Sequence, residues 1–253
     1  MRKISVLVIC MILILVSCKK EEKGPAPTVG TGTGSGGGNT PVVSNATTFY
    51  GIFTTGSYST VLSSTDTPSS SQMASSYFSS QATQYINSAT AVKVNNIWLN
   101  GDSLSYNSSN KYYTQYWNVN LSTETWSVNG ANGIGTFTIN INTITPSVNT
   151  INFQDSISIS AGFSVAVNNV SNITSARILV FDGTNTSSSY VQKTINAGNN
   201  TIIFTPADLA NLTPTQTGYL ALVLTNSKAY KVSGKDYQFN REAQCTMHFK
   251  IKP

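Results

Sequence analysis

Charge is scarce in this chain: Asp, Glu, Lys and Arg make up only 10% of its 253 residues. It has one histidine, His248, and three cysteines. These shortages exclude most site chemistry. A zinc centre needs several His, Cys or carboxylate ligands held together, and a nucleophile triad needs a histidine backed by an acid. The few carboxylates, Asp66, Asp102 and Glu124 among them, follow no spacing that would pair them for acid–base work. No catalytic residue, cofactor or metal is therefore expected. Asp182-Gly183-Thr184-Asn185 is more economically a turn than a calcium loop. Also missing are any stretch with a 3.6-residue apolar period over three turns and any basic stripe interleaved with aromatics. The formal charge of +5 is diluted by Arg2, Lys3 and a lysine surplus in residues 19–23, so nucleic acid is not an expected partner.

The one long apolar run, Ile4 to Val16, follows Arg2-Lys3 and leads into Leu15-Val16-Ser17-Cys18. As a helix it would rise only about 20 Å, too little for a bilayer core of roughly 30 Å. It has the layout of a cleaved signal. The string Leu-Val-Ser-Cys resembles the lipobox of bacterial lipoproteins. That resemblance implies removal of residues 1–17, a diacylglyceryl thioether on Cys18 and acylation of its new amino group, palmitate being a typical chain. Two or more acyl chains hold a protein stably on a membrane where one holds it marginally. Behind Cys18, Lys19-Lys20-Glu21-Glu22-Lys23 resembles the export tag of Bacteroidota surface lipoproteins, which implies an outer-membrane, cell-surface location. Asp102-Ser103-Leu104 and Asp155-Ser156-Ile157 resemble the O-glycan acceptor strings of the same bacteria.

Residues 24–45 are dominated by Gly, Thr, Ser and Pro and offer almost nothing apolar to bury. Such a segment cannot offset its ordering entropy, so residues 18–45 are expected to be a disordered tether. As a Gly-rich coil of about 27 residues it would span about 29 Å.

The remainder reads as strands bounded by Gly, Asn and Ser, giving an all-β fold of two β-sandwich domains, residues 46–146 and 147–253. Expected strands in the first are Phe49-Thr54, Ser57-Leu62, Ala91-Val94, Tyr112-Val119, Glu124-Val128 and Thr136-Ile141. The Ser-rich stretch Ser69-Gln84 also leans to strand, and Asn100-Gly101 and Asn129-Gly130 read as hairpin turns. The second domain has about seven strands: Ile157-Asn168, Ala176-Phe181, Tyr190-Ile195, Thr201-Phe204, Tyr219-Thr225, Ala229-Val232 and Gln244-Ile251. That count suits an immunoglobulin-like sandwich. Leu209 to Pro214 followed by Gly218-Tyr219-Leu220 resembles the corner before the central strand of fibronectin type III and related Ig-like domains. Thr205-Pro206-Ala207-Asp208 carries a cap, a proline at the first helical position and an acid in the first turn, predicting one turn of helix. By the lipobox resemblance Cys10 would leave with the signal and Cys18 would be acylated, so Cys245 is expected to stand alone without a disulfide partner. Period-2 alternation puts it on one face with Met247, Phe249 and Ile251, as a small buried hydrophobe, with His248 on the other.

Aromatic density marks the first half. In the strand from Tyr112, Tyr112, Thr114 and Tyr116 share one face while Tyr113, Gln115 and Trp117 share the other. A two-layer sandwich buries only one face of a strand, so one set is expected either in the core or open to a ligand. Trp98, Tyr116, Trp117 and Trp126 are the candidate ligand-binding residues, with a glycan or a surface protein as partner and the membrane held through the N-terminal lipid. Two functions remain open: a non-catalytic binding or adhesion module, or a structural accessory subunit of an outer-membrane assembly.

Overall fold

The computed structural model describes residues 41–62, 69–87, 89–117, 123–183 and 190–253. The signal, Cys18, the charge string and most of the tether lie outside the described residues, as do Asp66, Thr184-Asn185 and the side chain of Trp117.

The chain is all-β. In the first half run β1 (Val42–Ser44), β2 (Phe49–Val61), β3 (Ser69–Thr83), β4 (Asn96–Leu99), β5 (Asp102–Ser103), β6 (Ser105–Asn107), β7 (Tyr112–Trp117), β8 (Glu124–Asn129) and β9 (Phe137–Ile141). In the second come β10 (Thr150–Asn152), β11 (Ser156–Ser158), β12 (Phe163–Val170), β13 (Ser175–Phe181), β14 (Tyr190–Thr194) and β15 (Gly198–Phe204). A single helical turn, α1 (Pro206–Leu209), precedes the long strands β16 (Thr215–Val232) and β17 (Lys235–Lys252). The helical turn forms as its sequence predicts: Thr205 caps it, and Asp208 closes a capping box back onto Thr205. Hydrogen bonds from Lys193 and Thr205 hold the Asp208 carboxyl down at about 2.

One ten-stranded sheet dominates, in the order β14-β13-β16-β17-β2-β3-β7-β6, with β1 added to β16 and β11 added parallel to β17. Two smaller sheets complete the arrangement, β5-β4-β8-β9 and β10-β12-β15. In the second half, β10-β12-β15 opposite β14-β13-β16-β17 is the strand order of an Ig-like sandwich, A-B-E against C′-C-F-G. Asp182, in the segment read as a turn, is buried and accepts a hydrogen bond from the Thr213 amide.

Each small sheet closes a separate core against the large one. In the second half Val165, Val167 and Phe204 meet Ile178, Leu222 and Phe249. In the first, Ile97, Trp126 and Ile139 meet Phe53, Phe78 and Tyr113. The alternation at the C terminus is as expected: Met247, Phe249 and Ile251 are buried, and half-buried Cys245 packs with them.

Several boundaries differ from the sequence reading. Phe49-Thr54 and Ser57-Leu62 are one strand, because Gly56 continues the ladder to both neighbours. Tyr219-Thr225 and Ala229-Val232 also merge. The resulting β16–β17 hairpin turns at Ser233-Gly234, both at positive φ, and pairs Thr215 through Val232 with Ile251 back to Lys235. Its far end belongs to the first core, to which it contributes Val232, Tyr237 and Phe239, while Val61 of β2 enters the second. Ile157-Asn168 breaks into β11 and β12 around Gly162 at positive φ. The left-handed pair between β8 and β9 is Asn132-Gly133 rather than Asn129-Gly130, whereas Asn100-Gly101 forms the β4–β5 turn as read. Ala91-Val94 contributes one bridge, Ser79 to Ala91, and is not a strand.

Candidate binding face

The smaller sheets cover one face of the ten-stranded sheet. Its opposite face carries the side chains that alternate with the core. On β2, β3 and β7 the register brings Ile52, Tyr77 and Tyr112 into one row, then Thr54, Ser75 and Thr114, then Gly56, Met73 and Tyr116. Four tyrosines therefore gather on this outer surface: Tyr58, Tyr77, Tyr112 and Tyr116.

Tyr77 and Tyr112 stack across the strands with ring centroids 5.2 Å apart. Tyr116, four residues along from Tyr112 on the same face, is 47% exposed. Burial pushes the phenol of Tyr77 up, with a further contribution from Tyr112. Burial and then Tyr112 do the same to Tyr116. Burial, the Glu242 carboxylate and Tyr116 raise Tyr58. Tyr58, Tyr77 and Tyr116 therefore remain protonated donors at neutral pH.

Gly56 shapes the middle of the face. The Tyr58 ring folds back over it so closely that a Cβ there would lie 2.6 Å from the Tyr58 hydroxyl. From that position Tyr58 donates to Glu242 Oε2 at 3.5 Å, across the β2–β17 boundary. Burial raises the Glu242 carboxyl, against the lowering effects of Arg177 and the Tyr58 hydroxyl. A carboxylate sheltered by a phenol, with a guanidinium beyond it, accepts hydrogen bonds.

The four residues singled out from the sequence are not one site. Tyr116 lies on the face just described. Trp126 does not belong to a ligand face: it is 0% exposed, packs against Phe53 at 4.9 Å and donates through Nε1 to Glu124 Oε2 at 3.0 Å. The physical reason is alternation, since β8 turns Glu124, Trp126 and Val128 inward together. Trp98 is half-buried on β4, opposite in direction to buried Ile97 and Leu99, so it points away from the sandwich on the far side from Tyr116. Trp117 pairs with Gln72 through its backbone. The sequence reading missed Tyr58 and Tyr77. The alternation of Tyr77 with Phe78 was available as a signal, but the partner strands that bring them to Tyr112 and Tyr116 were not.

A second aromatic row crosses the other end of the same face. Tyr190, Phe181, Tyr219 and His248 stand in register on β14, β13, β16 and β17. Phe181 and Tyr219 stack at 4.6 Å with planes 16° apart. Burial lowers the His248 pKa, which keeps the imidazole neutral at neutral pH.

No protein-family model matches the chain, and no curated protein matches it. Among the described residues, no helix is long and apolar enough to cross a membrane, and no group of three or more His, Cys, Asp or Glu stands ready for a metal ion.

Proposed function

We propose that the chain is a cell-surface lipoprotein of the Bacteroidota type, held on the outer membrane by acyl chains on Cys18. It acts as a non-catalytic binding or adhesion module for glycans or surface proteins. The observation that carries the binding reading is the outer face around Tyr58, Tyr77, Tyr112 and Tyr116, where aromatic rings stand among Ser, Thr and Asn side chains. Rings supply apolar area with little entropy loss and hydroxyls orient a polar ligand. The anchor rests on the Leu15-to-Cys18 string and the surface location on Lys19 to Lys23.

Two measurements test this. Mass spectrometry of the N-terminal peptide from membranes is expected to find an acylated Cys18. Added protease is expected to remove the protein from whole cells, and E21A with E22A to protect it. An unmodified cysteine ends the anchor reading, and insensitivity of the wild type places the protein on the periplasmic side.

For the binding face, Tyr116→Ala is expected to abolish retention on a glycan array while costing under about 1 kcal/mol of stability, because the ring is half exposed. Trp98→Ala, on the far side, is expected to bind as wild type. Equal retention by wild type and Tyr116→Ala rejects this face. Retention of no glycan by the wild type puts the structural-subunit reading ahead.

A further inference from the structure

The middle row of the outer face runs farther than the four tyrosines. It begins at Ser227 on β16, whose hydroxyl donates to Asn240 Oδ1 of β17 at 2.7 Å. Asn240 Nδ2 in turn donates to Thr54 Oγ1 of β2 at 3.4 Å. In register with Thr54 comes Ser75 of β3, then Thr114 of β7. The row is thus a line of hydroxyls and one amide laid across successive strands. Ile52, Tyr77 and Tyr112 wall one side, and Gly56 with its covering Tyr58, Met73 and Tyr116 wall the other.

The members of this row are satisfied unequally. Ser227, Asn240 and Thr54 bond to one another. Thr114, only 8% exposed although it points away from the core, has an Oγ1 buried without a hydrogen-bond partner among the described residues. A buried hydroxyl left unpaired costs free energy, and a row of valines would have avoided that cost. Tyr112 and Tyr116 stand on either side of it, two residues before and after on the same strand face. The unpaired group therefore lies between two rings, buried beneath the outer surface of the sheet.

We infer that this row is a trough that takes a linear neutral glycan running across the strands, with Thr114 Oγ1 among its hydrogen-bonding partners. The inference rests on the binding reading above and names its ligand class. Three features select that class. The floor from Asn240 to Thr114 is made of uncharged groups that donate and accept, which matches sugar hydroxyls. The rim carries aromatic rings, Tyr77 and Tyr112 on one side and Tyr58 and Tyr116 on the other, which match the apolar faces of pyranose rings. Neighbouring strands lie about 4.8 Å apart, close to the length of one sugar in an extended chain, so successive sugars meet successive strands. From β17 to β7 the row spans about 14 Å, which fits about three sugars.

The test is calorimetric titration of the full-length chain in detergent. The probes are linear β-1,4-linked glucan, xylan and mannan series from disaccharide to hexasaccharide. At least one series is expected to gain affinity up to the tri- or tetrasaccharide and then level off. Thr114→Val is expected to weaken binding about tenfold, the scale of one hydrogen bond, while its urea midpoint stays unchanged or rises because an unsatisfied hydroxyl has gone. Thr114→Ser keeps the hydroxyl and is expected to bind as wild type. Binding by Thr114→Val equal to wild type overturns the trough, as does affinity that does not depend on length. Array retention of charged or branched glycans with no binding of these series also overturns it, yet leaves the binding face standing. Silence of the wild type on both ends the trough and the glycan reading together.

Discussion

Arg241→Ala is expected to lower the stability of the protein by about 3–5 kcal/mol, the range for breaking a buried ion pair from one side. Arg241 of β17 and Glu124 of β8 are 5% and 2% exposed, and Nε meets Oε1 at 2.6 Å. The carboxylate also accepts from the Thr55 hydroxyl and from Trp126 Nε1, and Arg241 Nη1 donates to Thr145 Oγ1 at 2.9 Å. With the guanidinium removed, Glu124 keeps its neutral donors but loses the charge that offsets its desolvation. Urea unfolding measures the loss. The double variant Arg241→Met with Glu124→Leu is expected to recover most of it, since deleting both charges leaves no unpaired ion. A single variant as stable as wild type would show that water reaches the pair. The position explains why a charged pair is placed there at all. Along β17, Phe239 belongs to the first core and Met247 to the second, and Arg241 lies between them. The pair ties the small sheet of the first half to the long hairpin of the second where apolar packing changes hands.

Residues 46–146 made without the rest of the chain are expected to show no cooperative unfolding transition. Val232, Tyr237 and Phe239, all buried, would be missing from their core, and β2 would lose β17 along Gly51 to Val61. Three such side chains are worth on the order of 5–9 kcal/mol in buried apolar surface. A domain of about 100 residues has a net stability of only about 5–15 kcal/mol. Residues 147–253, whose core among the described residues takes only Val61 from the first half, are expected to unfold cooperatively. Circular dichroism during urea titration of both fragments decides it. A sharp transition in the first fragment, with a midpoint near that of the intact chain, would establish that it folds on its own.

Much of the local structure was legible in the residues themselves. Period-2 alternation placed Met247, Phe249 and Ile251 inward and His248 outward. Asn100-Gly101 marked its turn, and Thr205-Pro206-Ala207-Asp208 its helical turn, because caps and left-handed turns depend on neighbours within a few positions. The sandwich character of the second half followed from strand count and spacing. Ser233-Gly234 was an available turn signal, yet its weight depends on what the flanking strands pair with, and that is not a local property.

The sequence by itself determined the all-β class, most strand positions and which residues within a strand share a face, since alternation and turn chemistry act over short distances. Only the tertiary structure decided which face of each strand meets another sheet. Tyr113 and Trp126 went inward and Tyr116 outward, although all three are aromatic residues in strands of similar composition. It also decided which distant strands become neighbours. β17, last in the chain, inserts between β16 and β2, joining two halves that the sequence separates and bringing Asn240 beside Thr54 and Glu242 beside Tyr58. Pairings across more than 180 residues leave no local periodicity behind. They are settled by the burial of apolar faces on both sides of the shared hairpin, a property of the assembled sheet rather than of any one strand.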